Sequence, residues 1–169
     1  MIRKVRSTRP DELHLEAWRS FFKTHARLMA RLEHDLEVKH DISLPVYEVL
    51  FNLSRAPQGR LRHQELVQCA RMTKSGISRL VDRMESAGLI RTERCPSDGR
   101  GAFAVLTATG KQRFRRAAAT HLHGIQEYFG RHLTPDEAET LRGAMGRIGT
   151  GLAATEATPA WLDAPGATG

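Results

Sequence analysis

Seven residues, Thr73-Lys74-Ser75-Gly76-Ile77-Ser78-Arg79, combine short hydroxyls with two cations in one stretch. The chemistry such a set offers is recognition rather than bond breaking. Short serine side chains let a helix axis approach the floor of a groove, while lysine and arginine reach phosphate oxygens or a guanine edge. Read as a helix, the stretch buries Ile77, Leu80, Val81 and Met84 and turns Lys74, Ser75, Ser78, Arg79 and Asp82 the other way. Thr73 is a good N-cap for it, and Gly76 leaves room for a preceding helix to pack close.

A second set follows at once. Arg91, Arg94 and Arg100 flank the pair Asp98-Gly99, which is turn chemistry for the tip of a hairpin. An arginine at such a tip can enter the narrow, negatively polarised minor groove of a duplex. Charge is concentrated here too. The 169-residue chain carries a formal net charge of +7, and residues 60–116 alone hold thirteen Lys and Arg against five Asp and Glu. An ordinary solvated helix and hairpin would not require motif, turn and charge to coincide.

These side chains need a scaffold, and apolar spacing supplies one. From Pro10 to about Val38, Leu15, Trp18, Phe22, Met29, Leu32 and Leu36 step at helical intervals, with Phe21 and Leu28 on an adjacent row, so the first helix is expected to bury more than one face. A second helix is expected from Ser43 or Leu44, with Pro45 in its first turn, to the stop at residues 56–59. Residues 61–70 read as a short helix burying Leu66 and Ala70, and Arg71-Met72 as the turn before Thr73. "LIRTER" and "AFAVLT" are the strands of the hairpin. Thr107 caps a long helix with Phe114, Ala118, Leu122, Ile125 and Phe129 on one face, and "TPDE" at 134–137 is a capping box opening the last helix. The expected fold is mainly α, about six helices, with a winged helix-turn-helix lobe held between long helices.

The stretch "LVQCARMTKSGISRLVDRMESAGLI" and the wing pattern "SDGRGAFAVLTATG" together resemble the MarR-type family of transcriptional regulators, over roughly residues 12–150. "AWRSFF" and "YEVL" are similar to one branch of it. The resemblance implies a homodimer joined by its first and last helices and bound to a pseudo-palindromic operator in double-stranded DNA. It makes Arg100 the minor-groove arginine, with Asp98 bracing the wing. The expected layout is a basic arm at 1–10, a domain at 11–152 and a flexible tail at 153–169. Within the domain, helices at about 11–38 and 107–152 would serve dimerisation, and a lobe at about 43–106 would face DNA. Two apolar rows on the first helix support a dimer independently, since one small wing domain cannot cover them.

The resemblance also implies control by a small aromatic or anionic ligand in a cleft between dimer helices and DNA-binding lobe. The residues expected to line it are Trp18, His25, Glu48 and His121. Each has a plainer account, core packing for Trp18 and a hydrogen-bonded interface position for His121. No metal or cofactor is expected, because the eight histidines contain no His-x₃-His pair and His121 and His123 point to different sides of one helix. Cys69 and Cys95 are too few for a disulfide framework, which fits a reducing cytoplasm, although Cys95 beside Arg94 could be oxidised. Trp161 is the tail residue that could dock.

Other classes fit less well. "SFFK" at 20–23 lacks the partner motifs of the enzymes that use S-x-x-K and sits mid-helix, so no enzyme is expected. No apolar run is long enough to span a membrane, and no secretory signal follows the basic start. A protein-binding winged helix would show an apolar recognition face. The closest rival is an architectural DNA binder without ligand control, whose affinity would rest on phosphate contacts alone.

Overall fold

The computed structural model describes residues 9–69, 73–94 and 102–153. The basic start, the turn at Arg71-Met72, the hairpin tip with Cys95, Asp98 and Arg100, and the tail with Trp161 lie outside the described residues.

Six α-helices and three short strands follow in the order α1 (Glu12–His40), α2 (Leu44–Arg55), β1 (Arg60–Arg62), α3 (His63–Cys69), α4 (Lys74–Ser86), β2 (Ile90–Arg94), β3 (Ala102–Leu106), α5 (Ala108–Tyr128) and α6 (Pro135–Ala153). The caps explain several boundaries. Asp11 accepts the His14 N–H at 2.9 Å to open α1, and Asp41, left-handed at φ 52°, closes it. At α6 the capping box is reciprocal: Thr134 N–H donates to Glu137 at 2.9 Å and Glu137 N–H to the Thr134 hydroxyl at 3.3 Å. None of the described helices is long and apolar enough to cross a membrane.

One element departs from expectation. Leu61 begins no helix; it is the middle of β1, paired antiparallel with β3 through Leu61 and Ala104. The sheet therefore has three strands, ordered β1-β3-β2. Three residues are too few for a period of two to be told from a helical one. α3 starts two residues later, where the Glu65 carboxylate accepts the Arg62 N–H at 2.6 Å.

The core of the lobe is closed. Leu50, Leu53, Leu66, Ile77, Leu80 and Met84 are among the side chains that α2, α3 and α4 bury together with Ile90 of β2. Each contributes about 1.5–3 kcal/mol of burial. A smaller cluster, Leu36, Ile42, Tyr47 and Ala117, joins this lobe to α1 and α5.

α5 runs antiparallel to the C-terminal half of α1. Arg113 donates to the His40 carbonyl at 2.6 Å, the His40 ring and Thr120 hydroxyl are 2.7 Å apart, and the Tyr128 hydroxyl donates to buried Asp35 at 2.7 Å. The buried residues of α5 are small, Gly110, Ala117 and Gly124, rather than the expected row of large ones. A Cβ on Gly124 would stand 2.7 Å from Leu32, so glycine sets how closely the two helices approach. Leu122, Ile125 and Phe129 stay exposed, as do Trp18, Phe21 and Phe22 on the N-terminal half of α1. Of the expected α1 seam, Leu32 and Leu36 are the members buried within the chain.

Candidate nucleic-acid interface

α4 presents the face that its spacing implies. Ile77, Leu80, Val81 and Met84 are each 1% exposed, whereas Thr73, Lys74, Ser75, Ser78 and Arg79 are all exposed. Thr73 caps the helix, its hydroxyl accepting the Gly76 N–H at 3.2 Å, with the Ser75 hydroxyl 3.3 Å away. Ser78 donates back to the Lys74 carbonyl at 3.1 Å, which keeps the surface low and turns the serine oxygen outward as an acceptor.

Some of the arginines are engaged by carboxylates. Arg19, Arg91 and Arg142 hold carboxylates at 3.0, 2.6 and 2.5 Å, and Arg131 is paired with Glu127. Among the described residues the Lys74 ammonium and the Arg79, Arg83 and Arg94 guanidinium groups have no ion-pair or hydrogen-bond partner. Arg94 stands at the end of β2, where the hairpin continues toward residues outside the described set. Arg91, two strand positions before Glu93, is engaged by it and so differs from its neighbour.

Two connections that sequence reading missed hold this face in place. The Glu85 carboxylate, in the last turn of α4, accepts the Thr92 N–H at 2.6 Å and the Thr92 hydroxyl at 3.0 Å. The one hint in the sequence is an acid at the end of a helix, against the dipole. At the other end of the hairpin, Thr107 accepts the Gly110 N–H at 3.0 Å and donates to the Gly88 carbonyl at 2.7 Å. A Cβ at Gly110 would lie 2.0 Å from the Leu89 carbonyl oxygen. The L-T-x-x-G pattern is thus the joint that fastens α5 to the turn after α4.

The four candidate ligand residues do not converge within one protomer. His121 packs on Tyr47 with ring centroids 4.5 Å apart, and Phe51 and Phe114 complete an aromatic cluster. Glu48 is half-buried on α2. Burial lowers the His121 pKa below the ordinary 6.5 and pushes Tyr47 up to about 12, so both rings are neutral near pH 7. The buried His121 Nδ1 has no hydrogen-bond partner among the described residues. Trp18 and His25 instead flank Phe21 on the open part of α1, at 6.0 and 5.9 Å. Because α5 pairs with α1 near Leu32–His40, His25 lies roughly 16 Å and Trp18 roughly 27 Å along the helix from that cluster. A separate cleft of about 250 Å³ opens where Ile42 and Val46 face Met84 and Leu89, with Arg83 and Arg113 in its lining. Sequence reading did not find it. No cluster that could hold a metal ion occurs among the described residues.

Comparison with known proteins places this arrangement. A profile described as MarR family matches residues 40–101. The transcriptional regulator HosA of Escherichia coli O111:H- is 31% identical over 121 residues, which cover 72% of this chain and 83% of HosA. Two solved structures from Streptomyces coelicolor, both MarR family transcriptional regulators, superpose with a TM-score of 0.78 at 33% identity. AbsC is covered over 98% of its length by 86% of this chain, and Sco3205, solved in complex with DNA, over 94% by 85%.

Proposed function

The chain belongs to the MarR family of transcriptional regulators, and from that premise we propose that it is a homodimeric, sequence-specific repressor of double-stranded DNA, released by a small aromatic or anionic molecule. The observation that carries the DNA reading is the division on α4. Its apolar side is wholly buried, and its outer side offers Lys74 and Arg79, without partners among the described residues, amid short hydroxyls. A helix so finished has spent its packing on the core and keeps its cations for a polyanion. Sco3205, similar over most of its length, was solved with DNA bound. Arg94, with Asp98 and Arg100 beyond it, would supply the wing contact, and Thr73, Ser75 and Ser78 the close approach.

Trp18, Phe21, Phe22, Leu122, Ile148 and Leu152 support the dimer, being 45% to 64% exposed on α1, α5 and α6. A second copy would cover them and present two recognition helices to a pseudo-palindrome. The ligand reading rests on the Tyr47–His121 cluster, which has an unsatisfied ring nitrogen and a carboxylate, Glu48, on the same helix as Tyr47. Trp18 and His25 reach it only from a partner subunit.

The test is binding to duplex DNA from the gene's own upstream region against a scrambled duplex near physiological salt. A preference of about 10³-fold or more, at two protomers per site, is expected. Equal affinities with a steep salt slope would instead make the protein an architectural binder.

A further inference from the structure

β2 is an edge strand, because the sheet is ordered β1-β3-β2. Edge strands carry backbone donors that no ladder satisfies. At Thr92 that donor is taken by the recognition helix itself: the Thr92 N–H donates to the Glu85 carboxylate, and the Thr92 hydroxyl donates to it as well. Glu85 sits in the last turn of α4, at the negative end of the helix dipole, so its charge weakens α4 on its own account. Its gain comes from Thr92, where both oxygens accept charge-assisted bonds from one residue.

We infer that Glu85 is a positioning residue that sets the angle of the wing to the recognition helix. The turn after α4 is fixed by its own backbone bonds, Gly88 N–H to Glu85 at 2.8 Å and Leu89 N–H to Met84 at 2.9 Å, and Ile90 is buried in the core. Beyond Ile90, β2 is carried by its ladder with β3 as far as Arg94. The Arg91 side chain engages Glu93 of its own strand, and Thr92 is the last position of β2 with a hydrogen bond to α4 among the described residues. Two residues on, Arg94 is exposed and has no partner among the described residues. A two-point contact at Thr92 resists rotation of the strand about its axis in a way a single bond does not. It holds Arg94 at a fixed offset from Lys74 and Arg79, so that wing and helix meet one duplex together. The inference rests on reading α4 and the hairpin as a joint DNA surface.

Operator binding by the full-length protein tests it, with Glu85→Ala, Glu85→Gln, Thr92→Val and Arg94→Ala measured singly and Glu85→Ala/Arg94→Ala together. Glu85→Ala is expected to weaken operator binding about tenfold. Glu85→Gln, whose amide can accept the Thr92 N–H and donate to its hydroxyl, is expected to stay within about threefold of wild type. The decisive readout is coupling. With the wing misdirected, Arg94 has little left to lose, so the double variant should bind within about twofold of the weaker single variant. A residue that merely stabilised the fold would give multiplying effects. Thr92→Val, which keeps the backbone bond and loses the hydroxyl, carries the same test should Glu85→Ala fold poorly. Specific binding by wild type with Glu85→Ala unchanged, or with multiplying losses, overturns the clamp alone. Wild type that does not distinguish operator from scrambled duplex overturns the DNA reading beneath it.

Discussion

The winged lobe and the long-helix arm leave opposite things unsatisfied. In the lobe, α4 buries every large apolar side chain it has, while Lys74, Arg79 and Arg83 have no partner among the described residues. Along the arm, some charges are paired, as in Arg19 with Glu12 and Arg142 with Glu139, and what stands out is apolar: Trp18, Phe22, Leu122 and Ile148 are 55% to 64% exposed. A surface short of counter-charge and a surface short of cover call for different partners. The first suits a polyanion, whose affinity is electrostatic and salt-dependent. The second suits another apolar surface, and the one certain to be present at equal concentration is a second copy of the chain.

Breaking the arm should have the largest effect. Leu122→Asp with Ile148→Asp places two carboxylates on exposed apolar positions of α5 and α6, where they disturb no core packing. The protein is expected to become monomeric by light scattering, with near-native helicity by circular dichroism. Operator affinity should then fall about 10²–10⁴-fold, because each half-site must be found independently. A monomer that binds the operator as tightly as wild type would mean the arm has no share in recognition.

Next comes the joint between the two regions. Gly110→Ala would set a methyl group 2.0 Å from the Leu89 carbonyl oxygen, a backbone atom that cannot swing aside. A loss of about 3 kcal/mol in urea unfolding is expected. Little change would show that α5 shifts freely against the lobe. Smaller again are the cations. Arg79→Ala and Arg100→Ala should each cost about 1–3 kcal/mol of operator binding if they touch base edges. A phosphate contact would instead lower the salt slope by about one and weaken all sequences alike. Arg79→Ala should leave the unfolding midpoint unchanged, since Arg79 has no partner among the described residues.

How much of this was legible in the sequence follows from what each signal depends on. The face of α4 was readable because it is local: thirteen residues in one helix fix which side chains share a side. Apolar spacing on α1 and α5 marked the rows of large apolar residues, yet it could not say which of them the protomer itself covers. Leu32 and Leu36 are buried within the protomer, while Trp18 and Phe22, on the same stripe, are not. The seam between those helices is made by Gly124 and Ala117, which carry almost no hydrophobic signal. Trp18, His25, Glu48 and His121 were grouped without knowing the register of α1 on α5, and that register separates them. Glu85 is the counter-example, since its unfavourable place at a helix end is visible in sequence once one asks what offsets it.

The smallest effect should come from His121, where lobe and arm touch. Burial holds its folded pKa below the ordinary 6.5, so below that pH the unfolded chain binds a proton that the folded chain refuses. Its contribution to stability is full above about pH 6.5 and is lost as pH falls toward the folded value. His40, lowered by burial and then by Arg116, Arg113 and Lys39, acts in the same window and direction. Asp35 does not overlap. The Tyr128 hydroxyl holds it below 3.8, and its contribution disappears only at more acid pH. Replacing His121 with Phe should therefore flatten the fall in unfolding midpoint between pH 7 and 5 without abolishing it, His40 remaining. The comparison sharpens if this is repeated in the Leu122→Asp/Ile148→Asp monomer. If a second copy covers the Tyr47–His121 cluster, the dimer desolvates the ring further, and wild type should show the steeper pH dependence of the two. Equal slopes would place the cluster outside the interface, no more covered in the dimer than in the single chain.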